Sequence, residues 1–279
     1  MPNRMPPARG YDLTDYQLSR ANLYNPLRDF LKHYAKRDRV SKFWDFDSFS
    51  DTADFTLAQT QTSTNFTVVD GLGGVVSGTT ASVTTASISM IGKTRWNGNN
   101  NCMFEARFKV DTVASTFIIE AGLVNAAPAT GASVVADIDT PSFFTTATNV
   151  AMFGIWNNQT HTSIAFASVG SFTSQTVAST LITAASATFT TPVADTYITA
   201  RILLLSTVTG RSKMYGWVNG ILRASHVGLL TGAEMGAVNG QSAIYPWFYL
   251  QTVAAAVKVP TLDYLWMSQD RAALSGQLE

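Results

Sequence analysis

Charge is what this 279-residue chain has least of. Asp, Glu, Lys and Arg make up 14% of it, against about 25% in an ordinary soluble domain. The 19 basic and 19 acidic side chains cancel, so there is no net positive field to gather polyanions, and nucleic acid is excluded as a main partner. Cysteine is nearly absent. Cys102 stands alone, which rules out a disulfide-stapled fold and leaves stability to the core and the backbone ladders. Its ordinary place is a buried thiol. No run approaches the roughly 18 apolar residues of a membrane helix, and the opening Met1-Pro2-Asn3-Arg4-Met5-Pro6-Pro7 lacks the apolar centre of a secretion signal. A soluble protein made in a cytoplasm, with no membrane partner, is the expectation.

Motifs that carry chemistry are equally thin. His33, His161 and His226 are far apart, and none has a partner at metal-ligand spacing. Asp137 and Asp139 offer oxygens that could suit calcium, but without the glycine and distal glutamate of an EF-hand they read more simply as a solvated loop. Gly92-Lys93-Thr94 imitates the end of a phosphate loop, yet position 87 is Ser87 where that motif needs glycine, and Arg95-Trp96-Asn97-Gly98 cannot open the required helix. No Gly-x-Ser-x-Gly occurs, so no nucleophile elbow is expected. Neither a cofactor nor a resident metal is expected.

What is present divides in two. Residues 1–47 hold nine Lys or Arg and six Asp or Glu, whereas residues 48–279 hold ten and thirteen over 232 positions. The first ten residues contain three prolines and a glycine and favour an extended segment that needs something to lie on. Thr14 with Gln17, then Asn25-Pro26, are start signals for two short helices. In the second, Leu27, Phe30, Leu31 and Tyr34 share a face, while Lys36 and Arg37 sit late, where cations suit the helix dipole. Residues 1–42 are read as a helical arm that either packs on its own domain or docks on another subunit. On the docking reading, Leu27, Phe30, Leu31, Tyr34, Lys36 and Arg37 form the interface.

From Phe43 onward the period is two. In 104–111 apolar and charged residues alternate, as in a half-buried strand. Further strands are expected at 82–91, 116–124, 150–156, 163–169, 197–205, 213–218, 221–227, 247–253 and 262–268. Asn219-Gly220 joins two of these runs and suits a two-residue hairpin, both residues accepting positive φ. About ten antiparallel strands with no long helix imply a two-sheet sandwich over 43–270, with 271–279 as a C-terminal tail. Thr, Ser, Ala, Val and Gly give it a neutral surface, and neutral strand edges stick to copies of themselves unless covered or assembled.

The opening Trp44-Asp45-Phe46-Asp47, the alternating 104–111 strand, the hairpin Tyr215-Gly216-Trp217-Val218-Asn219-Gly220 and the closing Leu262-Asp263-Tyr264-Leu265-Trp266 resemble the concanavalin-A-like/laminin-G-like jelly roll. This chain has Asn219 where that group's hairpin carries aspartate. The resemblance covers 43–270 and implies a mainly β, two-sheet antiparallel jelly-roll sandwich. With the neutral composition and the helical arm, the chain resembles a bacteriophage virion protein of this type.

Laminarinase-like enzymes on this fold carry a Glu-x-Asp-x-x-Glu strand, and no such pattern occurs here. Glu105 reads as an ion-paired strand residue. Glu120 interrupts the apolar run Phe117-Ile118-Ile119-Glu120-Ala121, so it either faces the far side of its sheet or is buried with a raised pKa. Trp96, Trp156, Trp217, Trp247 and Trp266 with their neighbouring tyrosines ordinarily fill the layer between sheets. Exposed on a concave face they would stack on sugars, with Tyr215 and Trp217 as the candidate contacts. The expectation is a non-enzymatic capsid decoration or cement protein on the virion surface. Its partner is the major capsid protein or another virion subunit, and its own state a homotrimer. The alternative is a head-fibre or tail module that binds a host glycan.

Overall fold

The computed structural model describes residues 39–46, 51–70, 74–98, 100–111, 116–128, 130–137, 142–143, 149–157, 162–169, 178–181, 193–206, 212–226 and 243–270. In chain order its strands are β1 Arg39–Trp44, β2 Phe55–Gln59, β3 Thr64–Asp70, β4 Val75–Thr79, β5 Ser87–Gly92, β6 Trp96–Asn97, β7 Met103–Val110, β8 Phe117–Val124 and β9 Val135–Asp137. They continue as β10 Ser142–Phe143, β11 Val150–Asn157, β12 Thr162–Val169, β13 Ala178–Leu181, β14 Ile198–Ser206, β15 Ser212–Val218, β16 Ile221–His226, β17 Ala243–Thr252 and β18 Pro260–Asp270. A single helical turn, α1 Asp51–Asp54, precedes β2. The helical arm expected over 1–42 lies outside the described residues except for its last four positions, which already belong to β1.

Two antiparallel eight-stranded sheets and a separate two-stranded β9–β10 ladder result. The first runs β16-β15-β14-β7-β18-β4-β3 with β1 against β18, and the second runs β13-β12-β11-β8-β17-β5-β2 with β6 against β17. All ten expected strands are present, although 82–86 is a run of bends and turns and β5 begins only at Ser87. Strands β2, β3 and β4 were not expected; β3 and β4 carry Thr, Asn, Ser, Gly and Asp, which match turns as well as edges.

Alternation decides which face each strand shows to its partner sheet. In β7, Phe104, Ala106, Phe108 and Val110 enter the inter-sheet core, and so do Phe153 and Ile155 of β11, Ile202 and Leu204 of β14, and Phe248 and Leu250 of β17. Phe108 of the first sheet lies 5.3 Å from Phe248 and 6.2 Å from Phe153 of the second, in edge and tilted contacts that add to the burial of the rings. The sheets approach so closely at β15 that a Cβ on Gly216 would lie 2.6 Å from the Phe166 ring. Cys102 is buried, as its solitary occurrence suggested.

The Asn-Gly hairpin forms as expected, with φ of 50° at Asn219 and 78° at Gly220. Lys258 is fully enclosed, its Nζ 5.0 Å from the centre of the Phe117 ring. Its backbone N–H donates to Thr80 Oγ1 at 2.9 Å and its carbonyl accepts the Thr80 N–H at 3.0 Å. Burial lowers its pKa, against the pull of Asp111.

Candidate functional site

The richest cluster of chemistry-bearing side chains lies on the outer face of the second sheet. Ile119, Ala121 and Leu123 of β8 point into the inter-sheet core, so the alternate residue Glu120 points away from it. Gly154 of β11 flanks Glu120 on one side and Tyr249 of β17 on the other. One register step along, Trp247 stands beside Gly122, and the Trp247 and Tyr249 rings stack at 5.8 Å and 13°. With Val124, Val134, Val150 and Met152 they form a second apolar cluster behind the sheet.

This face is closed. Glu120 and Tyr249 are 0% exposed and Trp247 3%. Residues 130–134 cross the cluster as a strap, tied down by backbone groups: Val134 N–H donates to Glu120 Oε2 at 2.8 Å, and Tyr249 Oη donates to the Gly131 carbonyl at 2.9 Å. The indole N–H of Trp247 donates to the same Glu120 oxygen at 3.2 Å. Asn125 and Asn149 clasp the base of the excursion, N–H to carbonyl at 3.1 Å and N–H to Oδ1 at 3.0 Å. Thr60 and Ser87 support the far end, their hydroxyls 3.1 Å apart, with the Thr60 methyl where a Cβ on Gly131 would fall. Gly131 has φ of 84°, a conformation for which glycine is the cheapest residue.

Burial and the Glu120 charge both push the Tyr249 hydroxyl far above its ordinary range, with a hydrogen bond from Ser87 opposing them. Glu120 Oε2 thus accepts two N–H donors at once. The same donors occupy an oxygen that a substrate would need to reach, so Glu120 in this arrangement anchors the strap. Beside it, Trp156 folds back over Gly154, whose hypothetical Cβ would sit 1.9 Å from the ring. Trp156 is 5% exposed and its indole N–H has no hydrogen-bond partner.

The outer face of the first sheet is organised differently. Glu105, Arg107 and Lys109 alternate outward from β7, as their spacing predicts. Glu105 pairs with Arg201 and accepts the Tyr264 hydroxyl at 2.5 Å. Arg107 pairs with Asp263 and lies 4.3 Å from the Tyr197 ring, and Lys109 reaches Asp195 at 3.1 Å. Across the strands, register sets Trp217, Arg201, Glu105 and Trp266 in one row. Burial and Glu105 raise the Tyr264 pKa, with Arg201 and Arg107 opposing.

Tyr215 and Trp217, the candidate sugar contacts, are covered. Tyr215 and Trp217 do point away from the inter-sheet core, since Met214 and Val218 fill it, and their rings lie 6.1 Å apart. They are only 7% and 3% exposed, so both sets of β15 side chains are covered. The expectation that the tryptophans fill the layer between the sheets holds for Trp96, while Trp156 and Trp247 belong to clusters outside it. The arm residues Leu27, Phe30, Leu31, Tyr34, Lys36 and Arg37 lie outside the described residues, as do His33, His161 and Asp139. Among the described residues no group of three or more His, Cys, Asp or Glu could hold a metal ion, and no helix is long and apolar enough to cross a membrane.

No protein-family model matches the chain, and no curated protein matches it. Solved structures do. An immunostimulatory antigen and pseudo beta-1,3-glucanase of Mycobacterium tuberculosis matches with a TM-score of 0.52 at 13% identity, over 82% of this chain and 98% of that one. A beta-1,3-glucanase from Mycobacterium marinum matches with a TM-score of 0.51 at 10% identity, over 81% and 97%. The carbohydrate recognition domain of Emp47p matches with a TM-score of 0.51 at 8% identity, over 85% and 97%. At such identities the likeness is one of fold: the chain shares the jelly-roll β sandwich of lectin-type and glucanase domains.

Proposed function

We propose that this chain is a non-enzymatic structural subunit of a virus particle, of the capsid-decoration kind, with the sandwich as the displayed body and the residues before β1 as the anchor. The observation that carries the non-enzymatic part is the sealed outer face of the second sheet. Its carboxylate, Glu120, is fully buried, with Oε2 held by the Val134 and Trp247 N–H groups, whereas glycoside hydrolysis needs two carboxyl groups open to the scissile bond. The virion assignment is supported by the charge-poor, Thr- and Ser-rich body and by the charged, proline-led arm. A neutral sandwich with open strand edges is safest when copies or partners cover them, which fits a homotrimer seated on the major capsid protein or another virion subunit.

Rebinding to particles stripped of the protein tests this reading. β1 begins at Arg39, so a variant lacking residues 1–38 keeps the strand; it should remain folded and lose particle binding. Absence of the protein from purified particles, or full rebinding of the truncated form, ends the proposal.

A second reading, a glycan-binding module of a fibre or tail, draws on the fold shared with a carbohydrate recognition domain. With Tyr215 and Trp217 covered, its best remaining aromatic is the half-buried Trp266 beside Glu105. Glycan-array binding lost in Trp266→Ala without loss of folding would favour it, and a blank array would remove it.

A further inference from the structure

We infer that Asn219-Gly220 is a site of spontaneous covalent modification in the folded protein, where the Asn219 carboxamide converts through a cyclic imide to aspartate and isoaspartate. Asn219 and Gly220 are both exposed at the tip of the β15–β16 hairpin, and a Cβ built on Gly220 would meet nothing within 4 Å. The side of Gly220 on which a Cβ would stand is open, so no side chain packs against the residue there. Positive φ at both residues places the step in a turn whose backbone can adjust more freely than a strand interior.

The carboxamide is also activated. Asn219 N–H donates to the Thr199 carbonyl at 2.8 Å, and Thr199 N–H donates back to Asn219 Oδ1 at 2.9 Å, so the side chain supplies one more rung to the β14–β15 ladder. That backbone N–H points at the oxygen that becomes negative when a nucleophile adds to Cγ, the arrangement by which a fixed donor lowers the barrier to acyl addition.

The step balances with water alone. The Gly220 nitrogen gives its proton to hydroxide and bonds to Asn219 Cγ. The Cγ–Nδ2 bond breaks, and Nδ2 takes a proton from water and leaves as ammonia. Water then opens the imide. Addition at Cγ gives aspartate, and addition at the backbone carbonyl gives isoaspartate with the chain rerouted through Cγ. Aspartate keeps the Thr199 acceptor; isoaspartate lengthens a two-residue turn by one carbon and breaks the match to the strand twist that such a turn requires.

A second Asn-Gly step provides the internal control. Asn97 lies in β6, paired with Ala243 of β17. Its N–H donates to Gln269 Oε1 at 2.7 Å, its carbonyl accepts from Asn100 at 3.0 Å, and Gly98 is buried. Reaction there requires the strand to open first. A third step, Asn239-Gly240, lies outside the described residues and is followed as its own peptide.

The experiment is peptide mapping of the full-length folded chain during mildly alkaline incubation, with isoaspartate measured by methyltransferase labelling. Conversion at Asn219 should outrun conversion at Asn97 by at least about tenfold, equivalent to about 1.4 kcal/mol of local opening, and Gly220→Ala should suppress the Asn219 signal while lowering the Tm, because alanine is strained at the positive φ of this position. Equal rates at the two steps would overturn the inference. So would an Asn219 that stays unmodified in the folded chain while the excised hairpin peptide converts, because the fold would then be protecting the step.

Discussion

Each outer face of the sandwich carries a glutamate in the middle of a central strand, and the two faces hold it by opposite means. Glu105 on the first sheet meets Arg201 and the Tyr264 hydroxyl, and Arg107 and Lys109 continue the row with partners of their own. The Arg201 and Arg107 side chains remain about a third or more exposed, so a guanidinium that loses its partner can turn to water. Glu120 on the second sheet is 0% exposed and takes neutral donors from the Val134 backbone and the Trp247 indole. Nothing can replace that acceptor once the strap is shut. Both carboxylates are buried, Glu105 at 7% exposure and Glu120 at 0%, so the difference lies in the partners: a part-exposed guanidinium that can turn to water on one side, and enclosed backbone and indole N–H groups that cannot on the other.

The sharpest way to break the comparison is to remove each carboxylate in turn. Glu120→Leu strands the Val134 and Trp247 N–H groups and should cost about 2–6 kcal/mol, each abandoned donor contributing roughly 1–3. Urea unfolding measures the loss, and hydrogen exchange at Val134 should accelerate with it. Glu120→Gln keeps one acceptor oxygen and should recover most of the stability. Equal destabilisation by Leu and Gln would mean that the charge, rather than the acceptor geometry, holds the strap. Gly154→Ala tests the same face from its other flank, since the new methyl collides with the Trp156 ring; about 1–3 kcal/mol is expected for such overpacking, read as a lowered Tm. Glu105→Ala should cost less, about 1 kcal/mol, because Arg201 can turn to solvent.

Much of this fold was legible in the sequence because alternation and turn chemistry are local signals. Phe104 to Asp111 announced its inward and outward sets, and Asn219-Gly220 its turn, without reference to anything distant. Glu120 was legible as an anomaly within an apolar run. Its role was not, because that depends on Val134 lying fourteen residues on and Trp247 on a strand more than a hundred residues away, brought together only by the β8–β17 register. Trp217 failed for a related reason: period two shows which side of a sheet a ring occupies, but not whether that side is covered. A signal did exist for the closed face. Trp247 and Tyr249 alternate with Phe248 and Leu250, so β17 has large apolar residues on both sides, and a strand of that kind is buried on both.

The finest contrast between the faces lies in two tyrosines. Tyr249 and Tyr264 each sit beside a glutamate, and each is raised above the ordinary value of 10.0, chiefly by burial. A tyrosine whose folded pKa is raised stabilises the fold fully below its unfolded pKa. That contribution is lost as pH rises from about 10 toward the folded value, because the unfolded chain then releases the proton first. The two should therefore remain protonated in an alkaline absorbance titration after exposed tyrosines have ionised, and stability should fall above about pH 10. On the first face Arg201 and Arg107 already pull Tyr264 downward, so Glu105→Gln removes the opposing charge and should let it ionise earlier. Tyr249 has the Ser87 hydrogen bond as its lowering influence, and burial dominates there. Glu120→Gln should accordingly move Tyr249 less than Glu105→Gln moves Tyr264, even though Glu120 is the more deeply buried carboxylate. If Tyr249 responds more strongly, charge governs the closed face as well, and the distinction between the two carboxylates has to be redrawn around the field of Glu120.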